Sequence, residues 1–420
     1  MAIISISDSQ VNGADQILVA DSNSKIPAKD GSQITILNAT NVTTGTIASA
    51  RLDVGTTANK LVQLDGSGNL PAVDASQLTG IVSATISASD PTISTNPSGG
   101  VGTEWLNSTS GDMYICTDAT AGENVWTNVG AGTGNIIPYQ YQGSNYGYCA
   151  GGWVTPKNTI DKYSLTSDAN ATDVGDILSD LQGHGGNSST TYGYVAGGYP
   201  QTVTIQKFSF SSDGNAVDSG QDLTVAREGI AGHSTEDYGY CSGGSPNSNI
   251  IERYPFASSA NATDVGDMHH SSGSTAQMGL NSETYGFYAG QDNPDGNVIG
   301  RFAFASSANG ADVGDLTVSR SIGAGCSDTD YGYCAGGYAT SDHNQIDRFQ
   351  FVASSNATDV GDLTVARRAA GNASTTAYGY VAGGSGVTNV IDKFQFQASG
   401  NATDIADLTL ARHWISSSHY

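Results

Sequence analysis

One heptapeptide recurs six times in the last two-thirds of this 420-residue chain. It begins at Tyr146 as Tyr-Gly-Tyr-Cys-Ala-Gly-Gly. It returns, with small changes, from Tyr192, Tyr238, Tyr285, Tyr331 and Tyr378, at intervals of 46, 46, 47, 46 and 47 residues. A fixed period restricts a chain to architectures that stack one supersecondary unit. Each unit reads as four short strands. In the copy from Arg227 to Asp267, Gly229–Ser234 forms the first strand and Tyr238–Cys241 the second. Ile250–Phe256 forms the third and Asp264–Met268 the fourth. Four antiparallel strands per ~45 residues make one propeller blade. The period therefore predicts an all-β chain with a six-bladed β-propeller over residues 146–420.

The apolar pattern agrees with sheets packed on both faces. Phe208 and Phe210 fall on one side of a third strand and Ile205 on the other. The glycine inside each Tyr-Gly-Tyr is expected where inner strands crowd an axis. The tail Ala411–Tyr420 aligns with a first strand that no second strand follows. It is expected to complete the sheet begun at Tyr146, in competition with residues 137–142, because overlapping ends remove free sheet edges. Cys149, Cys241 and Cys334 share a repeat position that holds Val195, Tyr288 and Val381 elsewhere, which reads as core filler. Cys326 and Cys334 flank one predicted hairpin, with a disulfide between them as the lesser reading.

Three features of the repeat resemble a kelch motif over 146–420. They are the basic residue before strand one (Arg227, after Asp222-Leu-Thr-Val-Ala), the Gly-Gly pair closing strand two at Gly198, and the aromatic of strand three in Ile-Asp-Lys-Phe394. The family's strand-four Trp is replaced by Val174, Val265, Val313 and Val360, so the resemblance implies a divergent kelch-like propeller. Residues 31–80 are turn-rich and cannot bury a core alone. Gly45–Gly80 resembles bacteriophage tail-fibre shaft sequence, which implies an extended, trimeric, β-rich region. Within 90–130, the segments around Trp105, Tyr114 and Trp126 read as three strands and resemble a small module of phage tail proteins. The expected order is a virion attachment segment (1–40), a shaft-like segment (41–89), a small β module (90–130), a linker (131–145) and the propeller (146–420).

Charge narrows the partners. Sixteen Lys and Arg against 40 Asp and Glu give a net charge of −24, which disfavours nucleic acid and anionic membranes. No apolar run is long enough to span a bilayer, and Met1–Gly13 lacks the pattern of a secretory signal.

The recurring Asp-x-Gly-Asp supplies weak Ca²⁺ candidates: Asp173, Asp176, Asp264 and Asp267. The plainer reading is that these Asp cap turns and pair with a cation found once per repeat: Lys162, Lys207, Arg253, Arg301, Arg348 or Lys393. No cofactor is otherwise expected. The seven His share no spacing, and metal, nucleophile-elbow and phosphate-loop signatures are absent. No departure from the repeat assembles an acid, a base and a nucleophile, so an enzyme is not expected. Asn38, Asn41, Asn170, Asn261, Asn356 and Asn401 stand in Asn-x-Thr sequences, read as polar turns.

The copies differ most in the loop after each Gly-Gly, where recognition is expected. Trp153, Tyr199 and Tyr338 are candidates for stacking on sugar rings, with Asp292, Asp295 and His343 supplying hydrogen bonds. The resemblance implies a phage tail fibre, located in the virion, homotrimeric, joined to other tail proteins through its N-terminal region. Its expected partner is a host-surface glycan or outer-membrane protein. A capsid or neck decoration protein without a receptor, and a glycan-degrading tailspike, are the alternatives.

Overall fold

The computed structural model describes residues 84–130, 140–153, 158–246, 248–269, 278–291, 296–386 and 388–420. The attachment segment, nearly all of the shaft-like segment and linker residues 131–139 lie outside the described residues. Among the described residues every regular element is a β-strand.

β1 (Thr85–Ser87) is the first. β2 (Glu104–Asn107), β3 (Met113–Asp118) and β4 (Val125–Asn128) then pair antiparallel in succession. These are the three strands expected of residues 90–130. Their core is small: Tyr114, Cys116 and Trp126 are fully buried, and Trp105 meets Trp126 edge-on at 5.9 Å.

Six four-stranded antiparallel sheets follow. The first holds β5 (Tyr146–Ala150), β6 (Thr159–Ser164) and β7 (Thr172–Asp176). The second holds β8 (Gly185–Ser188), β9 (Tyr192–Ala196), β10 (Thr204–Ser209) and β11 (Val217–Asp222). The third holds β12 (Ala231–Ser234), β13 (Tyr238–Ser242), β14 (Ile250–Pro255) and β15 (Thr263–Asp267). The fourth holds β16 (Met278–Asn281), β17 (Tyr285–Ala289), β18 (Val298–Ala303) and β19 (Ala311–Asp315). The fifth holds β20 (Ala324–Ser327), β21 (Tyr331–Tyr338), β22 (Asp342–Gln350) and β23 (Thr358–Asp362). The sixth holds β24 (Gly371–Ser374), β25 (Tyr378–Ala382), β26 (Val390–Gln395) and β27 (Thr403–Asp407). The fourth strand of the first sheet is the last of the chain: β28 (Ser416–His419) pairs with β5, Ser416 opposite Ala150 and His419 opposite Gly147. Of the competing segment 137–142, the described residues 140–142 belong to no strand.

Each pair of consecutive sheets shares one apolar core. Phe208 and Phe210 of the second sheet pack on Tyr148 and Ile160 of the first, and Ile205, on the other side of β10, packs with Cys241 and Tyr254 of the third. Tyr163 and Cys149 of the first sheet pack with Tyr380 and Ile391 of the sixth. All five cysteines are free and buried, Cys149, Cys241, Cys326 and Cys334 as filler of these cores and Cys116 in that of β2–β4, and in β20–β21 Cys334 lies opposite Gly325 rather than Cys326. Burial pushes the thiols of Cys149, Cys241, Cys326 and Cys334 up to about 12, so they stay protonated.

The glycines serve close approach, with the roles redistributed from the sequence expectation. The glycine of each Tyr-Gly-Tyr lies under the strand-three aromatic: a Cβ at Gly193 would sit 2.3 Å from Phe208 Cζ. Crowding of inner strands falls instead on the first strands, where a Cβ at Gly232 would lie 2.1 Å from the Gly186 carbonyl oxygen. The glycine of Asp-x-Gly-Asp marks sheet-to-sheet contact, since a Cβ at Gly175 would lie 2.4 Å from the Gly214 oxygen.

Two polar devices recur along the sheets. A buried ion pair links the basic residue before strand one to an acid on strand three: Arg227–Glu252, Arg320–Asp347 at 2.9 Å, Arg367–Asp392 at 3.0 Å and Arg412–Asp161 at 3.2 Å. The second sheet has Leu181 and Gln206 at these positions, and Gln206 still accepts the Leu178 N–H at 2.7 Å. In the fourth sheet the acid's place is Gly300, and the Tyr288 hydroxyl accepts the His269 N–H at 3.0 Å instead.

The second device is a clasp. Asn170, Asn215, Asn261, Asn309, Asn356 and Asn401 each accept a backbone N–H of the neighbouring sheet: from Asp407, Asp176, Asp222, Asp267, Asp315 and Asp362 respectively, at 3.0 to 3.2 Å. Those with sequon spacing are thus structural acceptors, a more specific role than polar turns.

Candidate recognition face

The loops after the Gly-Gly pairs and the connectors leading into the first strands lie against each other. Antiparallel bridges join Trp153 to His413, Tyr199 to Gln182, Ser245 to Glu228 and Tyr338 to Ser321. The geometry follows from the paired glycines. In the second sheet, Gly197 and Gly198 have φ of 63° and 116°, values that L side chains resist, and they turn the chain onto its neighbour.

Three of the six sequence candidates are exposed on this face: Trp153 at 46%, Tyr199 at 48% and Tyr338 at 36%. His343 lies on β22 opposite Gly337, half-buried, with its carbonyl accepting the Arg367 N–H. Asp292 and Asp295 lie outside the described residues.

Residues that sequence reasoning passed over complete the surroundings of Tyr338. The Arg368 guanidinium stacks over the Tyr338 ring at 4.1 Å. Its Nη1 is 2.8 Å from Asp342 Oδ1, and the Ser385 hydroxyl donates to Asp342 Oδ2 at 2.6 Å. Ser385 Oγ in turn accepts the Arg368 N–H at 3.1 Å. Trp414, Ile322, Ser321 and the buried Gln291 line the same groove as Tyr338 and Arg368. Trp414 has a left-handed φ of 59° at a repeat position where Ile322 and Ala369 have 60° and 54°, and where the second and third sheets have Gly183 and Gly229. Burial, together with the Arg368 charge, lowers the pKa of His413 beside it. Leu178, Val225 and Val365, one per connector, are exposed on this face as well. For Val225 and Val365 the signal was the Thr-Val-Ala-Arg run itself, whereas Leu178 stands in Ile-Leu-Ser-Asp. Trp414 was legible as a departure from the repeat, but it fell in a first strand and not in a loop.

The first strands enclose between them a polar cavity of about 130 Å³, lined among others by Asn187, His233, Asn281, Asn372 and Ser417. Tyr141 closes on it: its carbonyl lies 2.6 Å from His419 Nε2, and its hydroxyl donates to the Asp328 carbonyl at 2.6 Å.

The Ca²⁺ candidates have other employment. Asp173 Oδ1 accepts the Gly175 N–H and Asp264 Oδ1 the Gly266 N–H, at 3.1 and 3.0 Å. The N–H groups of Asp176 and Asp267 go to the Asn clasp. Among the described residues no three His, Cys, Asp or Glu gather as a metal site. The repeat cations do not pair with these Asp. Lys162, Lys207, Arg253, Arg301, Arg348 and Lys393 instead lie over the first Tyr of each motif, 4.4 to 5.0 Å from its centroid. Lys162 and Lys393 also reach Asp213 and Asp168 in turns. The cation meets the ring because it directly faces the Tyr-Gly-Tyr strand, as Arg253 is in register with Tyr240, beside Tyr238.

No protein-family model matches this chain, and no curated protein matches it.

Proposed function

We propose that the chain is a virion structural protein of the phage tail-fibre type. In this reading residues 146–420 form a six-bladed kelch-like β-propeller, and the loop face binds a host cell surface without covalent chemistry. The propeller is supported by the succession of shared cores, which runs from the first sheet to the sixth and returns to the first, and by the six-membered Asn clasp that follows the same order. The region before the propeller attaches to the particle and trimerises, so that three weak sites act together and gain avidity.

The observation that carries the recognition reading is where the exposed apolar side chains fall. Of the exposed large apolar side chains in the described residues from 140 onward, Trp153, Leu178, Tyr199, Val225, Tyr338 and Val365 belong to the loops and connectors of one face, while Tyr146, Tyr192, Val217, Val352 and Tyr420 lie elsewhere. The repeated Asp-x-Gly-Asp acids sit on the fourth strands, and the four buried arginines of the connectors are each paired with an acid. Exposed apolar groups gathered on one side of a rigid scaffold mark interaction surfaces.

The test mixes the labelled full chain with a panel of bacterial strains and measures the fraction pelleted with cells. At least one strain should be bound, and Trp153→Ala with Tyr338→Ala should reduce binding while circular dichroism stays unchanged. A wild-type chain that binds no strain rejects host adhesion. Light scattering of the full chain should give three times the 43.0 kDa chain mass; a monomer rejects the fibre.

A further inference from the structure

We infer that the groove beside Tyr338 is a subsite for a neutral, hexose-based glycan. The inference rests on reading the loop face as the recognition face and names what that face takes.

Two aromatic side chains, Tyr338 and Trp414, line the same groove. Aromatic faces are suited to the C–H faces of a pyranose, and their few rotatable bonds make ordering them inexpensive in entropy. Polar groups stand next to them in fixed positions. The Arg368 guanidinium is held between the Tyr338 ring and Asp342, and Asp342 is held in turn by Ser385. A guanidinium beside a carboxylate presents donors and acceptors side by side, which matches vicinal sugar hydroxyls that donate and accept together.

Charge decides between glycans. Arg368 is already neutralised by Asp342, so an anionic sugar meets no uncompensated cation, and the chain carries a net charge of −24. A neutral glycan meets no such obstacle.

The backbone at Trp414 is that of the repeat: its φ of 59° matches Ile322 at 60° and Ala369 at 54°, and Gly183 and Gly229 at 63° and 67°, so what this copy adds is the tryptophan side chain itself.

The experiment titrates the full chain by calorimetry with glucose-, galactose- and mannose-based oligosaccharides, and in a second arm with their uronate counterparts. A neutral oligosaccharide should bind saturably and quench tryptophan fluorescence. Trp414→Gly should weaken that binding about tenfold, with the melting temperature unchanged or raised, since glycine suits a left-handed φ. Arg368→Ala and Asp342→Ala should each weaken it as well. The inference is overturned by the absence of saturable neutral-sugar binding, by preference for uronates, or by unaltered affinity in Trp414→Gly. Cells bound without any neutral oligosaccharide would remove the subsite and leave host adhesion standing. Sugar bound without any cell would remove host adhesion alone.

Discussion

Arg367 and Asp392 form an ion pair with both side chains wholly excluded from solvent, Nη2 lying 3.0 Å from Oδ2. Arg367 Nη2 also donates to the Val381 carbonyl at 2.9 Å, and Asp392 accepts from the Thr364 N–H and hydroxyl. The pair therefore ties the connector to the second and third strands of its own sheet. Desolvation lowers the Arg367 pKa and the Asp392 charge opposes that shift, so the guanidinium depends on its partner.

Removing one partner should be costly and removing both cheap. Arg367→Leu alone is expected to lose about 3–5 kcal/mol, because Asp392 is left buried and unpaired. Arg367→Leu with Asp392→Gln recreates the pairing of Leu181 with Gln206, whose amide oxygen still accepts a connector N–H. The double variant should recover most of the loss. Urea unfolding of the three proteins measures both quantities; a double variant no better than the single one rejects the account.

The Asn clasp should be worth little at each sheet and act at all six. Asn261→Ala removes the acceptor of the Asp222 N–H at 3.1 Å, at an exposed position. The expected loss is about 1 kcal/mol or less. Replacing all six should lower the melting temperature by far more than one does, read by calorimetric scanning.

Acid should weaken the fold through buried histidines. Burial lowers His184 and His233 from 6.5 to about 4. Their unfolded forms therefore bind protons first as pH falls. The stability tied to their neutral forms is complete above pH 6.5 and is lost as pH drops through the window down to about 4. The size is on the order of 3 kcal/mol for each. His184→Ile places there the residue that the equivalent positions hold as Ile230 and Ile415, and should flatten the loss between pH 6.5 and 4 in denaturant midpoints. An unchanged pH slope would show that His184 does not carry it.

The C-terminal strand should be indispensable. Deleting residues 413–420 strips β28 from β5 and exposes the paired edge from Gly147 to Ala150. It also removes Tyr420, which stacks on Phe210 at 5.4 Å. The truncated chain is expected to aggregate, as unpaired edges invite intermolecular pairing. Light scattering beside the wild type checks this, and a monodisperse truncation of native stability would count against it.

Chelation should change nothing in the described sheets. The Asp173 and Asp264 carboxylates cap turns through Gly175 and Gly266. EDTA and added Ca²⁺ should therefore leave the melting temperature of the full chain where it was; a clear rise with Ca²⁺ would restore the metal reading.

The strand plan is legible in the sequence alone. The spacing of Tyr146, Tyr192, Tyr238, Tyr285, Tyr331 and Tyr378, with turn residues between apolar alternations, set four strands per repeat, because period-2 patterning and Gly or Asn turns are local signals. The placement of Ser416–His419 beside β5 was legible for the same reason: an orphan first strand shows in the alignment of the copies. The partners of the polar residues were decided only by the tertiary structure. Whether Arg253 meets an Asp or the Tyr238 ring depends on strand register, and whether Asn261 is an idle turn or a clasp depends on what the next sheet presents at Asp222. The surroundings of Tyr338 are the clearest case. Arg368, Asp342, Ser385 and Trp414 come from separate stretches of chain, and only the folding of sheet against sheet brings them to one groove, because side-chain contacts across sheets leave no periodic trace in sequence.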